Sequence, residues 1–297
     1  MTGKDIKDVL TFAAFRPEPD DSSASWSKRF PKKRSVLLNI GRDSVSWRAI
    51  EKGGDLGESG AMDGDFKEII TDMAEEWKSM ADEAWIGVSL NNRFMITLET
   101  NLSRKKGAVE AIRTNPKAAL GTKAEKGKRY AVNHNPESNT SVLLAVDEDF
   151  VNQVETLMKA VGINVGRIAC GPYAMLMDCI DQVDIARRQF KDESPDQALG
   201  KVVMVVCCEG SVVAMTTNDD QWLELRSRTS LYTEDDVEPV IKIITPLIDN
   251  AGSDAQIIFM GDATATPVKA LLESRLNGRR FSDVSQPDQL WSLIKQH

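Results

Sequence analysis

Two stretches of the chain repeat one pattern of hydrophobic and polar positions. In VLLNIGRDSVSWRAI, from Val36 to Ile50, an apolar run meets a turn at Gly41. A second run follows, in which Val45, Trp47 and Ala49 alternate with Ser46 and Arg48. Period-two alternation on either side of a glycine predicts a strand, a tight turn and a second strand. In VVMVVCCEGSVVAM, from Val202 to Met215, two apolar runs flank Glu209-Gly210-Ser211 in the same way. Taken singly, each unit also reads as an ordinary hairpin. Taken together, and each leading into a helical segment, they predict a duplicated α/β architecture with a cleft between halves.

The pattern between them fills in the first half. Leu56–Met62 predicts a third strand, reached through Gly53-Gly54. Phe66, Ile69, Ile70, Met73, Trp77 and Met80 form one stripe of a helix over 65–80, with Asp63 as its expected cap. A strand over 84–90, a turn at Asn91-Asn92 and a strand over 94–98 come next. A helix is expected around 106–114, ending at Asn115-Pro116. Strands over 129–134 and 140–146 then pair across HNPESN. In the helix over 147–161, Asp147 is the expected cap, Phe150, Val151, Val154, Leu157, Met158 and Val161 the apolar face, and Gly162 the stop. A strand over 163–170 and a helix opening at Pro172 close this half.

After the polar linker KDESPDQALG, strands over 202–208, 211–217 and 222–227 predict an antiparallel meander. The helix over 235–250 holds Pro239 in its first turn and is expected to kink or break at Pro246. A strand over 256–260 meets Gly261, and helices over 266–276 and 287–295 end the pattern. Residues 1–33 contain few apolar positions and much Pro, Asp, Ser, Lys and Arg, so an extended, flexible N-terminal arm is expected there. Its cluster Lys28, Arg29, Lys32, Lys33 and Arg34 reads as solvated, or as a contact for an acidic partner or anionic lipid.

Composition removes several classes of function. A net charge of −8 provides no bulk attraction for phosphate, so no nucleic-acid partner is expected. The longest candidate apolar run, Val202–Cys208, has seven residues, and a membrane-spanning helix needs about 20. MTGKDIKDVLTFAAF lacks the apolar core of a secretory signal, which predicts a cytoplasmic chain. Cys170, Cys179, Cys207 and Cys208 form no CxxC pair, and His134 and His297 are too scattered for a zinc site, so reduced, buried thiols and no metal are expected. The acidic runs Asp147–Asp149 and Glu234–Asp236 read as helix-capping charge.

The order of these elements resembles the actin-like ATPase superfold: duplicated ribonuclease-H-like halves with a small α/β subdomain inserted in the first. Within that superfold it is similar to the type IV pilus assembly protein PilM and the cytoplasmic domain of the type II secretion protein GspL. Three stretches carry the likeness. They are NIGRDSVSWRAIEKGG from Asn39, TSVLLAVDEDFVNQVETLMKAVGINVGRIACGPYAML from Thr140, and IIFMGDATATPVKALLESRL from Ile257. The resemblance covers residues 35–278. After the arm at 1–33, it implies a first half at 34–190 with its insertion at about 91–165, and a second half at 191–297.

The resemblance also implies a nucleotide cleft lined by Asn39, Gly41, Ser44, Glu209, Gly210, Ser211, Gly261 and Asp262. Here the residues depart from the family pattern. Asn39 stands where the first loop usually has an Asp, and Cys207 where the second usually has its carboxylate. Asp262 replaces the second glycine of the adenosine segment, while Arg42 and Asp43 enlarge the first loop. Glu209 is the substitute carboxylate at hand, yet beside a bound phosphate it repels unless a cation intervenes. Phosphoryl transfer needs positioned Mg²⁺ ligands and a cradle of N–H groups. A vestigial cleft without hydrolysis is therefore expected, with no cofactor, and ATP with Mg²⁺ as the alternative. No GxxxxGKS/T or GxGxxG occurs to supply another phosphate site.

The resemblance further implies a scaffold at the inner face of the bacterial inner membrane, associating with it through partners. Those partners are the cytoplasmic tail of a PilN-like subunit and an assembly ATPase. The tail is expected near Phe94, Ile96 and Leu98, which read equally as core. The other functional readings are an ATP-binding PilM-like assembly protein and a sugar or acetate kinase on the same superfold.

Overall fold

The computed structural model describes residues 26, 32–91, 93–100, 111, 115, 120–135, 138–193, 200–219, 221–276 and 278–296. Strands β1 (Ser35–Ile40), β2 (Ser44–Ile50) and β3 (Leu56–Asp63) form an antiparallel meander. Helix α1 (Phe66–Met80) then crosses to β4 (Trp85–Leu90), which lies parallel to β1. The sheet is completed by β8 (Asn164–Ala169), parallel to β4, in the order β3-β2-β1-β4-β8. All six residues of β1 are buried, as a strand covered on both faces requires. β2 buries Val45, Trp47 and Ala49 and leaves Ser46 and Arg48 half-buried. Trp47 meets Trp77 of α1 edge-on, with ring centroids 5.9 Å apart.

The second half repeats this plan. Strands β9 (Lys201–Cys208), β10 (Ser211–Asn218) and β11 (Gln221–Arg228) form the meander, α4 (Glu238–Ala251) crosses, and β12 (Gln256–Gly261) lies parallel to β9. Helix α5 (Thr266–Arg275) leads to β13 (Arg280–Asp283), and the order is β11-β10-β9-β12-β13. Two sheets of identical strand order and sense confirm the duplicated ribonuclease-H-like plan. The short β13 has no periodic signal in the sequence and exists by pairing with Gln256–Phe259.

Between β4 and β8 lies a third sheet of β5 (Phe94–Thr100), β6 (Lys128–Asn135) and β7 (Thr140–Asp147), ordered β5-β7-β6. Helix α2 (Glu148–Ala160) returns the chain to β8. On one face of this sheet Phe94, Ile96, Val142, Leu144 and Val146 join the main core. On the other, Tyr130, Val132, Leu143 and Ala145 pack with Leu120 into a small core of their own.

The last helix of each half is exchanged. Helix α3 (Gly171–Glu193), which follows β8, packs on β9 and β10 of the second sheet. Helix α6 (Gln289–Gln296), at the end of the second half, packs on β1 and β4 and against α3. One core therefore joins Leu37, Val88 and Ile180 to Val202, Met204, Leu290 and Ile294.

Several local expectations are corrected. The cap of α1 is Asp65, whose carboxylate accepts from the Lys67 N–H at 2.8 Å, and not Asp63. Asp147 occupies the cap position of α2, but its carboxylate is taken by Lys128 Nζ at 2.6 Å. Helix α4 runs on through Pro246, which lies on its exposed side, so the Lys242 carbonyl that loses its N–H partner faces water. Helix α3 extends three residues past 190, to Glu193. Within the expected arm, Trp26 is only 4% exposed. Its ring lies against β4 and β8, where a Cβ at Gly87 or Gly166 would come within 2.7 or 2.3 Å of it. Of the basic cluster, Lys33 pairs with Glu83 and Arg34 with Asp82, while Lys28 and Arg29 lie outside the described residues. The helix expected around 106–114 is likewise outside them, apart from Ala111.

Candidate functional site

The ends of β1 and β4 and the turns β1–β2 and β9–β10 converge between the two halves. The β9–β10 connection is a two-residue turn, since Cys208 pairs directly with Ser211. Both of its residues have left-handed backbone, with φ 40° at Glu209 and 78° at Gly210. That geometry suits a hairpin's twist and favours glycine. Gly210 meets it without strain, whereas Glu209 holds it at a cost of about 1 kcal/mol. The effect of the turn is to aim the Glu209 side chain across to the first half.

There the carboxylate is held from two elements. Ser46 Oγ of β2 donates to Oε1 at 3.1 Å, and Asn91 Nδ2, just past β4, donates to Oε2 at 3.0 Å and to the Glu209 carbonyl at 3.2 Å. Ser211 Oγ donates in return to the Asn91 carbonyl at 2.9 Å. The β1–β2 turn is closed by the Gly41 N–H donating to the Ser44 carbonyl at 2.9 Å. A Cβ at Gly41 would lie 3.0 Å from Ser44 Oγ and 3.3 Å from Glu209 Oε2, so the carboxylate rests against this turn. Asn39 is fully buried beside Glu209 and helps hold its charge, yet neither amide atom makes a hydrogen bond of good geometry.

Asp262 supports the arrangement from behind. Its Oδ2 accepts from the Glu209 N–H at 2.9 Å and its Oδ1 from Thr264 Oγ1 at 2.6 Å. Its own N–H donates to the Cys207 carbonyl at 3.2 Å, and the neighbouring Gly261 N–H donates to Ser285 Oγ at 2.8 Å. Burial raises the pKa of Glu209; hydrogen bonds from Asn91 and Ser46, with the nearby Asn39 amide, oppose this and the charge of Asp262 adds to it. Asp262 is raised by burial too, against the hydrogen bonds it accepts. Among the described residues no salt bridge reaches either carboxylate, and no group of three or more His, Cys, Asp or Glu is placed to hold a metal ion.

The eight residues singled out from the sequence thus lie in or beside the junction of the two halves. The contacts that close it also need Ser46, Asn91 and Thr264, which the sequence reading passed over. Ser46 is simply the polar partner in an alternating strand, and Asn91 reads as a turn residue. Cys207 and Cys208 point to opposite faces of β9, into separate cores, and burial raises both thiols far above the reactive range. Phe94 and Ile96 are buried in the main core and Leu98 packs against it, so these side chains are occupied by packing.

No protein-family model and no curated protein matches the chain. Solved structures do, and they place it in the actin-like ATPase fold. One is a Bacteroides thetaiotaomicron protein with that fold and unknown function, at TM-score 0.53 and 11% identity, covering 93% of this chain and 99% of that one. The cytoplasmic domain of EpsL, an inner-membrane component of the type II secretion system of Vibrio cholerae, matches at TM-score 0.52 and 11% identity, covering 89% and 93%. A PilM–PilN type IV pilus biogenesis complex matches at TM-score 0.51 and 13% identity, covering 87% and 89%. Among the described residues no helix is long and apolar enough to cross a membrane.

Proposed function

We propose that this chain is a non-catalytic scaffold of a type IV pilus or type II secretion platform, with a degenerate nucleotide cleft. The observation that carries the reading is the Glu209 carboxylate lying between the two hairpin turns, against Gly41 and hydrogen-bonded to Ser46 and Asn91. It brings negative charge to the place where the fold would need to receive phosphate. Asn39 offers no charge to a metal, and Asp262 adds a second carboxylate. The scaffold works at the inner face of the inner membrane, holding the cytoplasmic tail of a PilN-like subunit and contacting an assembly ATPase.

The tail docks on the inserted sheet. Because Phe94, Ile96 and Leu98 turn inward, the docking face is the opposite one, where Thr97 is exposed. Calorimetry with ATP, with and without Mg²⁺, tests the cleft: no heat is expected at millimolar ATP. Micromolar, Mg²⁺-dependent binding would replace this reading with that of an ATP-binding assembly protein. Titration with synthetic cytoplasmic tails of inner-membrane pilus and secretion subunits tests the docking. Thr97→Glu is expected to weaken tail binding at least tenfold without changing the melting temperature, and unchanged binding would move the docking site elsewhere.

A further inference from the structure

The junction of the two halves is built from groups that closure does not fully satisfy. Both amide atoms of Asn39, Oδ1 of Asn91 and Oγ of Ser89 are buried without hydrogen-bond partners. Asn39 and Ser89 are neighbours in register across β1 and β4. Glu209 holds left-handed backbone, and among the described residues its buried carboxylate has neutral donors only. Water would satisfy every one of these groups if the turns separated. A contact serving stability alone would place a neutral amide at 209.

We propose that Glu209 is a proton-operated latch on the cleft: delivered by the β9–β10 turn, its side chain clasps Ser46 and Asn91 in the closed state and leaves them when the halves part. The inference does not depend on the scaffold reading, since it concerns the chain without nucleotide or tail.

The groups around Glu209 fix the direction of the effect. From the second half it faces Asp262 and Cys208, with Cys207 and Tyr232 lying beyond, around Asp262. From the first half it faces the neutral Asn39, Asn91 and Ser46, while Arg42 and Asp43 at the tip of the β1–β2 turn are exposed and 3.5 Å from each other. Among the described residues no cation offsets the buried charge, so the closed state holds the proton more tightly than the open one. The proton then favours closure most fully below the ordinary carboxylate value of 4.5, and that advantage is lost as pH rises through the raised value.

Hydrogen exchange of the turn amides at 41–46 and 210–212, between pH 5 and 8 and corrected for intrinsic rates, reads the opening. Wild-type opening should increase with pH, by up to about tenfold per pH unit for one proton within the window. Glu209→Gln should flatten the profile to the share left by Asp262, and adding Asp262→Asn should remove the rest. Ser46→Ala, which keeps the carboxylate but loses one clasp, should raise opening while the pH dependence persists. A wild-type profile independent of pH, or one that Glu209→Gln leaves intact, would overturn the latch.

Discussion

The two halves share strand order and sense, yet their hairpin turns play opposite parts. The β9–β10 turn has the minimum of two residues, its strands are almost wholly buried, and it projects a charged side chain. The β1–β2 turn is wider, joins the wholly buried β1 to the partly buried β2, and offers a glycine and, with β2, neutral polar groups to that side chain. Duplication of the fold therefore did not duplicate the chemistry: one turn donates a carboxylate and the other receives it.

The largest test of the comparison concerns whether the halves are separable at all. Ile294, fully buried on α6, belongs to the second half by sequence but packs in the core shared with the first. Ile294→Ala should cost about 2–5 kcal/mol. Because the core is shared, chemical denaturation should show one transition by fluorescence and by circular dichroism; two separated transitions would mean that the halves fold independently.

The turns themselves come next. Gly210→Ala puts a Cβ on left-handed backbone and 3.0 Å from the Tyr232 carbonyl, so a loss of about 1–3 kcal/mol is expected in melting experiments. Gly41→Ala instead presses on Ser44 and the Glu209 carboxylate. It should cost about 1 kcal/mol in wild type and less in a Glu209→Ala background, a coupling that a double-mutant cycle measures. Additive losses would show that Gly41 and Glu209 do not share space.

The buried carboxylates sharpen the comparison through pH. Both have raised pKa values, so the stability they contribute is present below 4.5 for Glu209 and 3.8 for Asp262, and lost as pH rises through their folded values. Asp262→Asn should therefore gain on wild type in melting temperature as pH goes from 5 to 8. The smallest effect is on the first half's surface. The Arg34 N–H, with its guanidinium nearby, holds Asp82 below its ordinary value despite desolvation. Asp82→Asn should lose a few tenths of a kcal/mol at pH 7. That loss should fade as pH falls through the lowered value, since a protonated Asp82 no longer differs in charge from Asn.

Much of the fold was legible because it is written in periods. Alternation located the two hairpins, and the stripes of α1 and α2 located their buried faces, ending at Gly162 with its φ of 77°. Trp26 was not legible: its burial depends on two glycines, at 87 and 166, far along the chain. Nor was β13, whose four residues have no pattern except a partner strand. At the site, the glycines, Glu209 and Asp262 stood out as turn chemistry or as departures from a resembled motif. Ser46 and Asn91 did not, because nothing local distinguishes them from any solvated serine or asparagine.

What the sequence determined by itself is the local layer: most of the runs that become strands, which faces of the amphipathic helices are buried, and that the plan is duplicated. Those follow from side-chain period and turn residues, which act over a few positions. Tertiary structure alone decided that Glu209 rests on Asn91 and Ser46, 118 and 163 residues away, and that each half lends its last helix to the other's sheet. Such contacts arise when whole sheets bury their apolar faces together, and no periodicity within a single segment encodes which distant polar groups that burial will bring face to face.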